Sequence, residues 1–431
     1  MAYLLYDILL CLSTLILVPY YLIRGVRYGK ARRGLRERLA WFHQEFLDAL
    51  PGREVVWVHA VSVGETRAAI PLFKALRKRY PDALLVISNV TETGREMAQA
   101  IPEADFCIFF PFDLSWVVRK ALKKVQPRLI ILVETEIWPN FVREAHRLDI
   151  PVMLANGRIS DRSFPRYRMG GRLLASILEN LSAFCMQTEQ DARRIRLLGA
   201  LSGRVRVTGN LKFDMDLSQN DAFSVAELRT EYHLPEDVFL WVVGSTHAGE
   251  EAILTRVYKR LRETHPQLLM VMAPRHPERS RLVVEELEKE NLCCVLRTSL
   301  PEFERILAPG EVLLVDTIGE MMKLYALADM IFVGGSLVPV GGHNILEASL
   351  LKKPVMFGPH MQNFKEITRL VKNAYAGMQV KDEEALYQQM RLLIENPEEA
   401  FRLGENGYRL LVENRGATDN TIEEISRQIA D

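Results

Sequence analysis

Acidic side chains follow two predicted strands of this chain, where they could act as acids or bases. The first lies in HAVSVGE, residues 59–65, in which Gly64 permits a tight turn and Glu65 reaches the carboxyl end of the strand. A carboxylate at that position can take a proton from an attacking hydroxyl once burial raises its pKa above the free value of about 4.3. Ser62 and Glu65 also have the spacing of a helix capping box, so a structural role for Glu65 stays open.

The second acidic stretch, VETEIWPN at residues 133–140, ends the apolar run that forms another predicted strand. Glu134 is the first residue past that strand, and we expect its carboxylate to face the ligand-binding edge of the sheet. The structural alternative is a polar loop with Trp138 packed on the sheet and Glu136 solvated. Lys212 in GNLKFD supplies a cation suited to negative charge on a leaving phosphate, although a lone loop lysine is ordinarily solvated.

A short loop with an arginine and a histidine follows a strand of the second half of the chain. Arg275 and His276, in PRHP at residues 274–277, can bind a phosphate or a carboxylate. The two prolines of this loop fix the backbone and exclude a helix start. The pattern therefore favours a shaped anion-binding loop over a charged helix face.

The glycine-rich stretch FVGGSLVPVGGHNILE, residues 332–347, is the most specific pattern in the sequence. A helix predicted to begin near Asn344 would present free N–H groups and its positive dipole end to an anion, and Glu347 could bind ribose hydroxyls. A capping box of Asn344 and Glu347 is the structural alternative, but it does not account for two Gly-Gly pairs. We therefore predict a nucleotide site whose backbone approaches the ligand at Gly334, Gly335, Gly341 and Gly342.

Composition and absent motifs narrow the classes of protein. The 431 residues carry a formal net charge of zero, which does not indicate a nucleic-acid-binding protein. The five cysteines are odd in number and form no C-x-x-C pair, which is typical of thiols in a reducing compartment. The sequence has no Walker A loop, zinc-binding spacing, G-x-S-x-G elbow or dinucleotide fingerprint, so kinase, metalloprotease, hydrolase and dehydrogenase functions are disfavoured.

Short apolar runs alternate with helical patterns in two series, which predicts parallel sheets covered by helices on both faces. We expect two Rossmann-like domains, residues 26–215 and 216–400, that face a central cleft and bind ligands beyond the carboxyl ends of their strands. A helical segment, residues 401–431, follows them. The predicted strands are residues 55–60, 83–88, 106–109, 129–133, 151–155, 183–186, 204–208, 238–243, 268–272, 292–296, 312–315, 330–333 and 354–357.

The N-terminal stretch is apolar enough to interact with a membrane. Residues 3–23 contain few polar side chains, and about 20 such residues can cross a bilayer core. A basic run within residues 24–38 follows and would keep the remaining chain on the cytoplasmic side. We therefore predict a membrane anchor at residues 1–25. A soluble N-terminal helix, favoured by Asp7 and Pro19, is the alternative.

With these stretches in place, the chain resembles the 3-deoxy-D-manno-octulosonic acid (Kdo) transferases of lipid A biosynthesis. HAVSVGE, ETEIWPN, GNLKFD, STHAGEE, PRHPER, DTIGE and GGHNILEA occur in the same order, up to about residue 380. The resemblance implies the two-Rossmann (GT-B) glycosyltransferase fold, CMP-Kdo as donor and a tetraacyl lipid A precursor (lipid IVA) as acceptor. It also implies action at the cytoplasmic face of a Gram-negative inner membrane, without a cofactor or metal and without a nucleic-acid partner.

The resemblance assigns roles position by position. Glu65 matches the general base, and Glu134 and Lys212 match residues that stabilise the transition state. Asp214 and Asp216 spell D-x-D but have no role in the family, and we interpret them as linker. The CMP contacts match Pro274, Arg275, Ile318, Gly319, Glu320, Asn344, Ile345, Leu346 and Glu347, and the further candidates are Ser62, Gly64, His276, Gly341, Gly342 and His343.

Two other functions fit parts of these patterns. One is another GT-B transferase that uses a UDP-sugar and a lipid-linked acceptor, which titration with CMP and UDP would separate. The other is a membrane-tethered nucleotide-binding protein without catalysis. Acidic residues at two strand ends argue against this second alternative.

Overall fold

A computed structural model of the chain describes residues 6–8, 10, 12–13, 34–302 and 305–430. The chain forms two compact units: unit 1 comprises Met1–Asp214 with Asn414–Asp431, and unit 2 comprises Met215–Glu413. Within the described residues, each unit contains a seven-stranded sheet whose strands all run parallel. The predicted α/β class with two parallel sheets is thereby confirmed.

The sheet of unit 1 has the strand order β3-β2-β1-β4-β5-β6-β7. Its order reverses between β1 and β4, and this switch point is where open parallel sheets bind ligands. Both strands are buried at every position, as a sheet covered on two faces requires. The strands are β1 Val55–His59, β2 Leu84–Asn89, β3 Phe106–Phe109, β4 Leu129–Val133, β5 Val152–Gly157, β6 Ala183–Met186 and β7 Val205–Val207.

The helices of unit 1 connect these strands, with two short helices before β1. The helix after β1 begins behind Ser62 and ends in three basic residues, which suits the negative end of its dipole. The helices are α1 Leu35–Arg38, α2 Gln44–Ala49, α3 Val63–Arg79, α4 Glu92–Gln99, α5 Ser115–Val125, α6 Pro139–His146, α7 Ser163–Met169, α8 Gly171–Leu178 and α9 Glu189–Leu197.

The sheet of unit 2 has the strand order β10-β11-β9-β8-β12-β13-β14, with its switch point between β8 and β12. The last strand has two residues, too few to give a sequence period, and was not predicted. The strands are β8 Phe239–Thr246, β9 Leu268–Pro274, β10 Cys294–Leu296, β11 Val312–Leu314, β12 Met330–Val333, β13 Val355–Phe357 and β14 Met378–Gln379. The helices are α10 Val225–Glu231, α11 Glu250–Arg262, α12 Ser280–Lys289, α13 Met321–Leu327, α14 Leu346–Leu350, α15 Lys365–Asn373, α16 Glu383–Glu395 and α17 Pro397–Glu413.

The described part of the predicted anchor contacts unit 1 through polar side chains. The Tyr6 hydroxyl donates to Asp113 Oδ2 at 3.0 Å, and Asn140 Nδ2 donates to Asp7 Oδ1 at 2.6 Å. Arg143 adds an ion pair to Asp7 at 3.5 Å. No helix among the described residues is long and apolar enough to cross a membrane. The rest of the predicted anchor lies outside the described residues.

The predicted basic run is described only from residue 34 onward, and residues 24–33 lie outside the described residues. Its described end packs onto unit 1. The Arg38 guanidinium lies 4.4 Å from the ring centroid of Phe109, and buried Glu37 accepts the Phe109 N–H at 2.8 Å and pairs with Arg95. Arg38 is therefore engaged in an intramolecular cation–π contact.

The last part of the chain is divided between the two units. Helix α17 belongs to unit 2, whereas helix α18, Ala417–Ala430, belongs to unit 1. Asp214 Oδ1 accepts the N–H of Gly416 at 2.7 Å, and its other oxygen accepts the N–H of Thr418. The first aspartate of the D-x-D pair thus binds the start of α18.

Candidate functional site

Glu65 lies in the first turn of α3, at the switch point of the unit 1 sheet, and is 9% exposed. Its Oε2 accepts the Val61 N–H at 2.6 Å, and its Oε1 accepts the Ser62 hydroxyl at 3.0 Å. In a reciprocal capping box the serine oxygen would accept a helix N–H, and Ser62 makes no such bond. Glu65 likewise binds the N–H of Val61 and not that of the N-cap residue Ser62, so the two bonds fix the carboxylate at the carboxyl end of β1 without forming the capping box.

The environment of Glu65 suits proton transfer near neutral pH. Burial raises the pKa of Glu65 to about 7, and the charges of Glu134 and Glu136 act in the same direction, whereas the hydrogen bonds from Val61 and Ser62 oppose it. Burial and the charge of Glu134 also raise the pKa of Glu136, which is half-buried rather than solvated. A carboxyl with a pKa near the working pH can accept and release a proton efficiently.

Glu134 and Lys212 form an ion pair, although 77 residues separate them in sequence. Lys212 Nζ lies 3.1 Å from Glu134 Oε1, and each side chain is mostly buried. Glu134 directly follows β4 and has a φ of 60°, the left-handed region that non-glycine residues rarely adopt. Such backbone strain is typical of functional sites. Lys212 is therefore not the solvated loop lysine of the structural alternative.

An amide network holds the backbone that carries Lys212. Asn210 Oδ1 accepts the Lys212 N–H at 3.0 Å, and Asn210 Nδ2 donates to Gln187 Oε1 at 3.1 Å. Asn156 Oδ1 accepts the Leu211 N–H at 3.1 Å. These three amide side chains thus fix the short 3-10 helix Leu211–Phe213, from which the Lys212 ammonium reaches Glu134. Sequence analysis missed Asn156 and Gln187, because no local pattern marks them.

Unit 2 places a buried carboxylate at its own switch point. Glu250, at the start of α11, accepts the N–H groups of Gly335, Ser336 and Leu337 at 2.6, 2.8 and 2.7 Å. It also accepts the His247 N–H at 3.0 Å. This carboxylate joins the end of β8 to the loop after β12. Sequence analysis missed Glu250, for which a glutamate in a first helical turn was the available signal.

Protein atoms occupy the space beside two glycines of the glycine-rich loop. A Cβ on Gly334 would lie 2.6 Å from the Ser245 carbonyl oxygen, and one on Gly341 would lie 2.4 Å from Asn363 Nδ2. Gly341 and Gly342 also have φ angles of 116° and 75°. Internal packing and backbone conformation therefore require glycine here, and the Gly335 N–H binds Glu250.

A short helix begins close to Asn344, as predicted. Helix α14 begins at Leu346 and has five residues, and Asn344 Oδ1 accepts the Leu346 N–H at 3.2 Å. Glu347 lies in its first turn, and Ile345 and Leu346 are buried. So short a helix has a weak dipole, and its first N–H groups are partly satisfied by Asn344. The dipole argument for anion binding therefore loses most of its weight.

Three histidines lie together beside this loop. Nε2 of His247 and Nε2 of His343 are 2.9 Å apart with nearly parallel rings, and the His276 ring lies edge-on to His247 at 5.9 Å between centroids. Burial lowers the pKa of His247, which favours a neutral imidazole able to share one proton with its partner. Within the described part of the chain, no group of three or more His, Cys, Asp or Glu side chains is placed to hold a metal ion.

Side chains that bind the Glu320 carboxylate hold the loop that carries Ile318, Gly319 and Glu320. Glu320 Oε2 accepts the Tyr232 hydroxyl at 2.5 Å and Arg297 Nε at 2.9 Å. Burial alone would raise the pKa of Glu320, but these bonds and one from the Thr317 hydroxyl outweigh it and lower the pKa. Ile318 is 87% exposed and Gly319 has a φ of 94°, so the loop presents an apolar side chain to solvent.

We expect Glu250→Gln to lower the stability of unit 2 by about 2 kcal/mol, because an amide offers one acceptor oxygen where four N–H groups converge. Urea unfolding would measure the loss, and hydrogen exchange at residues 335–337 should accelerate. The control is Glu263→Gln at the exposed end of the same helix, which should change stability by less than about 0.5 kcal/mol. Equal midpoints for the two variants would contradict this role of Glu250.

Solved structures share this fold. A glycosyltransferase from Rickettsia africae matches with a TM-score of 0.58 and 15% identity, covering 88% of this chain and 99% of that one. A UDP-GlcNAc 2-epimerase from Neisseria meningitidis matches with a TM-score of 0.60 and 16% identity, covering 87% and 100%. The two parallel-sheet α/β units therefore have the architecture of GT-B glycosyltransferases.

Sequence comparison then identifies the family. The family profile for 3-deoxy-D-manno-octulosonic-acid transferase matches residues 33–215. Kdo transferases from Haemophilus influenzae and Chlamydophila psittaci are 33% and 31% identical, covering 97% and 99% of this chain and 96% of each relative. The chain belongs to the Kdo transferase family and is a glycosyltransferase for Kdo. The UDP-sugar and non-catalytic alternatives are thereby disfavoured.

Proposed function

We propose that this enzyme transfers Kdo from CMP-Kdo to a tetraacyl lipid A precursor with inversion at the anomeric carbon, and that Glu65 is the general base. The observation that carries this proposal is the Glu65 carboxyl, held at a sheet switch point by two hydrogen bonds with a pKa raised to about 7 by burial. A base of this kind suits deprotonation of a sugar hydroxyl at neutral pH.

The proposed reaction is a direct displacement. The acceptor hydroxyl oxygen attacks the anomeric carbon of Kdo, and its proton passes to Glu65. The bond between that carbon and the CMP phosphate oxygen breaks on the opposite face, and its electron pair leaves with CMP. Attack opposite the leaving group inverts the configuration.

Glu134 and Lys212 stabilise the charges that develop in this step. The Glu134 carboxylate offsets positive charge on the sugar, and the Lys212 ammonium offsets negative charge on the departing phosphate. The ion pair at 3.1 Å holds the two side chains next to each other. Preorganised charges of this kind typically contribute several kcal/mol to lowering a barrier. CMP has a single phosphate, so the proposed step needs no metal.

Unit 2 supplies the donor contacts in this proposal. Arg275 follows β9, and exposed Ile318 and Gly319 lie on the loop that Tyr232 and Arg297 hold through Glu320. The other proposed CMP contacts are Pro274, Asn344, Ile345, Leu346 and Glu347. Buried Ile345 and Leu346 can contribute through their backbone, since their side chains pack in the interior.

An acylated acceptor stays in the bilayer, so we further propose that the enzyme works at the cytoplasmic face of a Gram-negative inner membrane. Holding the enzyme at that surface would raise the effective concentration of acceptor.

Mass spectrometry of lipid IVA incubated with CMP-Kdo and the purified protein tests the proposed function. We expect Kdo-bearing glycolipid and free CMP, with equal yield in the presence of EDTA. UDP-sugars in place of CMP-Kdo should give no product. An unmodified acceptor after incubation with CMP-Kdo would overturn the assignment.

A further inference from the structure

A cluster of cations lies in the segment between β5 and α9. Residues 158–172 contain five arginines and one acidic residue, Asp161, which pairs with Arg194. Within the part of the chain that the structure describes, none of the five guanidinium groups makes a hydrogen bond or an ion pair. These are Arg158, Arg162, Arg166, Arg168 and Arg172, the last four exposed.

The segment is fastened to the loop that carries Glu134 and Glu136. Thr135 lies between these two glutamates, and its hydroxyl and backbone provide the contacts: Arg158 N–H donates to Thr135 Oγ1 at 3.1 Å, the Thr135 hydroxyl donates to the Arg158 carbonyl, and the Tyr167 hydroxyl donates to the Thr135 carbonyl at 3.3 Å. These contacts place the backbone at Arg158 and the Tyr167 side chain beside Thr135, whose two neighbours, Glu134 and Glu136, act on Glu65 through their charges.

Helix α9 also holds the N-terminal end of the segment. The Ile159 N–H donates to Asp191 Oδ1 at 2.7 Å, and Arg194 donates to the Ile159 carbonyl at 2.6 Å. Ser160 and Ser163 then close the turn that starts α7, with the Ser163 N–H 3.0 Å from Ser160 Oγ. These bonds order the backbone while leaving the guanidinium groups exposed.

From this geometry we infer that residues 158–172 form the subsite that binds the phosphate groups of the glycolipid acceptor. Guanidinium groups bind phosphate bidentately, and among the described residues these five have no internal partner that a phosphate would displace. Met169, in the middle of the cluster, is 88% exposed, which suits an amphiphile that brings apolar chains beside its phosphates. The inference rests on the proposed function and places acceptor recognition in unit 1, beside its base.

Kinetics of Arg166→Gln/Arg168→Gln in a neutral detergent test this subsite, using a bisphosphorylated glycolipid and its dephosphorylated analogue. We expect the KM for the bisphosphorylated acceptor to rise about tenfold, with kcat and the KM for donor changed less than about twofold, because charged contacts to phosphate are lost. The dephosphorylated analogue should have the same KM with both enzymes. Added salt should raise the KM of the parent enzyme more than that of the variant.

The matched control is Lys78→Gln/Arg193→Gln, which removes two exposed cations of unit 1 that are not fastened to Thr135. Its KM for the bisphosphorylated acceptor should equal that of the parent enzyme. An unchanged KM in the arginine variant, or an equal rise for both acceptors, would overturn the subsite. If the parent enzyme transferred no Kdo to either glycolipid, the proposed function would fall instead.

Discussion

Replacing Glu65 with glutamine should lower kcat for Kdo transfer by about two to four orders of magnitude, the usual contribution of a general base. Glutamine is nearly isosteric, so its oxygen can still accept the Val61 N–H and its amide can donate to Ser62. The melting temperature and the affinity for CMP should therefore stay close to those of the parent enzyme. Full activity of this variant would show that Glu65 has a structural role and is not the general base.

The pH dependence of kcat/KM tests the role of Glu65 independently. Because the base acts when ionised, kcat/KM should fall as the pH drops below about 7, the raised pKa of Glu65. Ser62→Ala removes a donor that stabilises the carboxylate, so the pKa should rise and the acid limb should move to higher pH. If Ser62→Ala left the acid limb unchanged, the group that titrates there would not be Glu65.

Breaking the Glu134–Lys212 pair should give the second largest loss. We expect Glu134→Gln and Lys212→Met each to lower kcat by about 100-fold, as for loss of one preorganised charge. The double variant should lose less than the product of the two, because each single change leaves its partner buried without a counterion. Single-turnover rates for the four proteins of this cycle would measure the coupling.

A control variant and the pH profile provide two further tests of the Glu134–Lys212 pair. Lys259→Met breaks a lysine–glutamate pair of 3.2 Å in unit 2 and should change kcat less than about twofold. The charge of Glu134 raises the pKa of Glu65, so Glu134→Gln should move the acid limb to lower pH. Fully additive losses, together with an unmoved acid limb, would separate Glu134 from Lys212 and from Glu65.

The positions of Glu65 and Glu134 were predictable from the sequence because they follow from local rules. Continuous apolar runs mark buried parallel strands, and a polar residue directly after such a strand lies at the ligand-binding edge. The predicted boundaries of β3, β4, β6 and β12 match those of the structure. What the sequence could not supply was the raised pKa of Glu65, because burial depends on how the whole unit packs.

Contacts between distant parts of the chain were likewise hidden. The Glu250 carboxylate binds N–H groups 85 to 87 residues away, and no pattern around Glu250 names that partner. The same contact shows what the glycine-rich pattern left open, because the N–H groups at 335–337 bind an internal carboxylate. The local sequence pattern therefore predicted where the loop lies, whereas the contacts of its N–H groups depend on tertiary packing.

The route of the chain through its two units affects the order in which they can form during synthesis. Unit 2 is one continuous stretch, whereas the interior of unit 1 includes Ala417 and Ile425 of α18, packed with residues of β1 and α3. On the ribosome, the unit that begins first in sequence must wait for the peptide that follows the other one. Until α18 has been synthesised, the apolar surface beside β1, the strand that precedes Glu65, stays exposed to solvent. We therefore expect a chaperone to bind the nascent unit 1 at this stage.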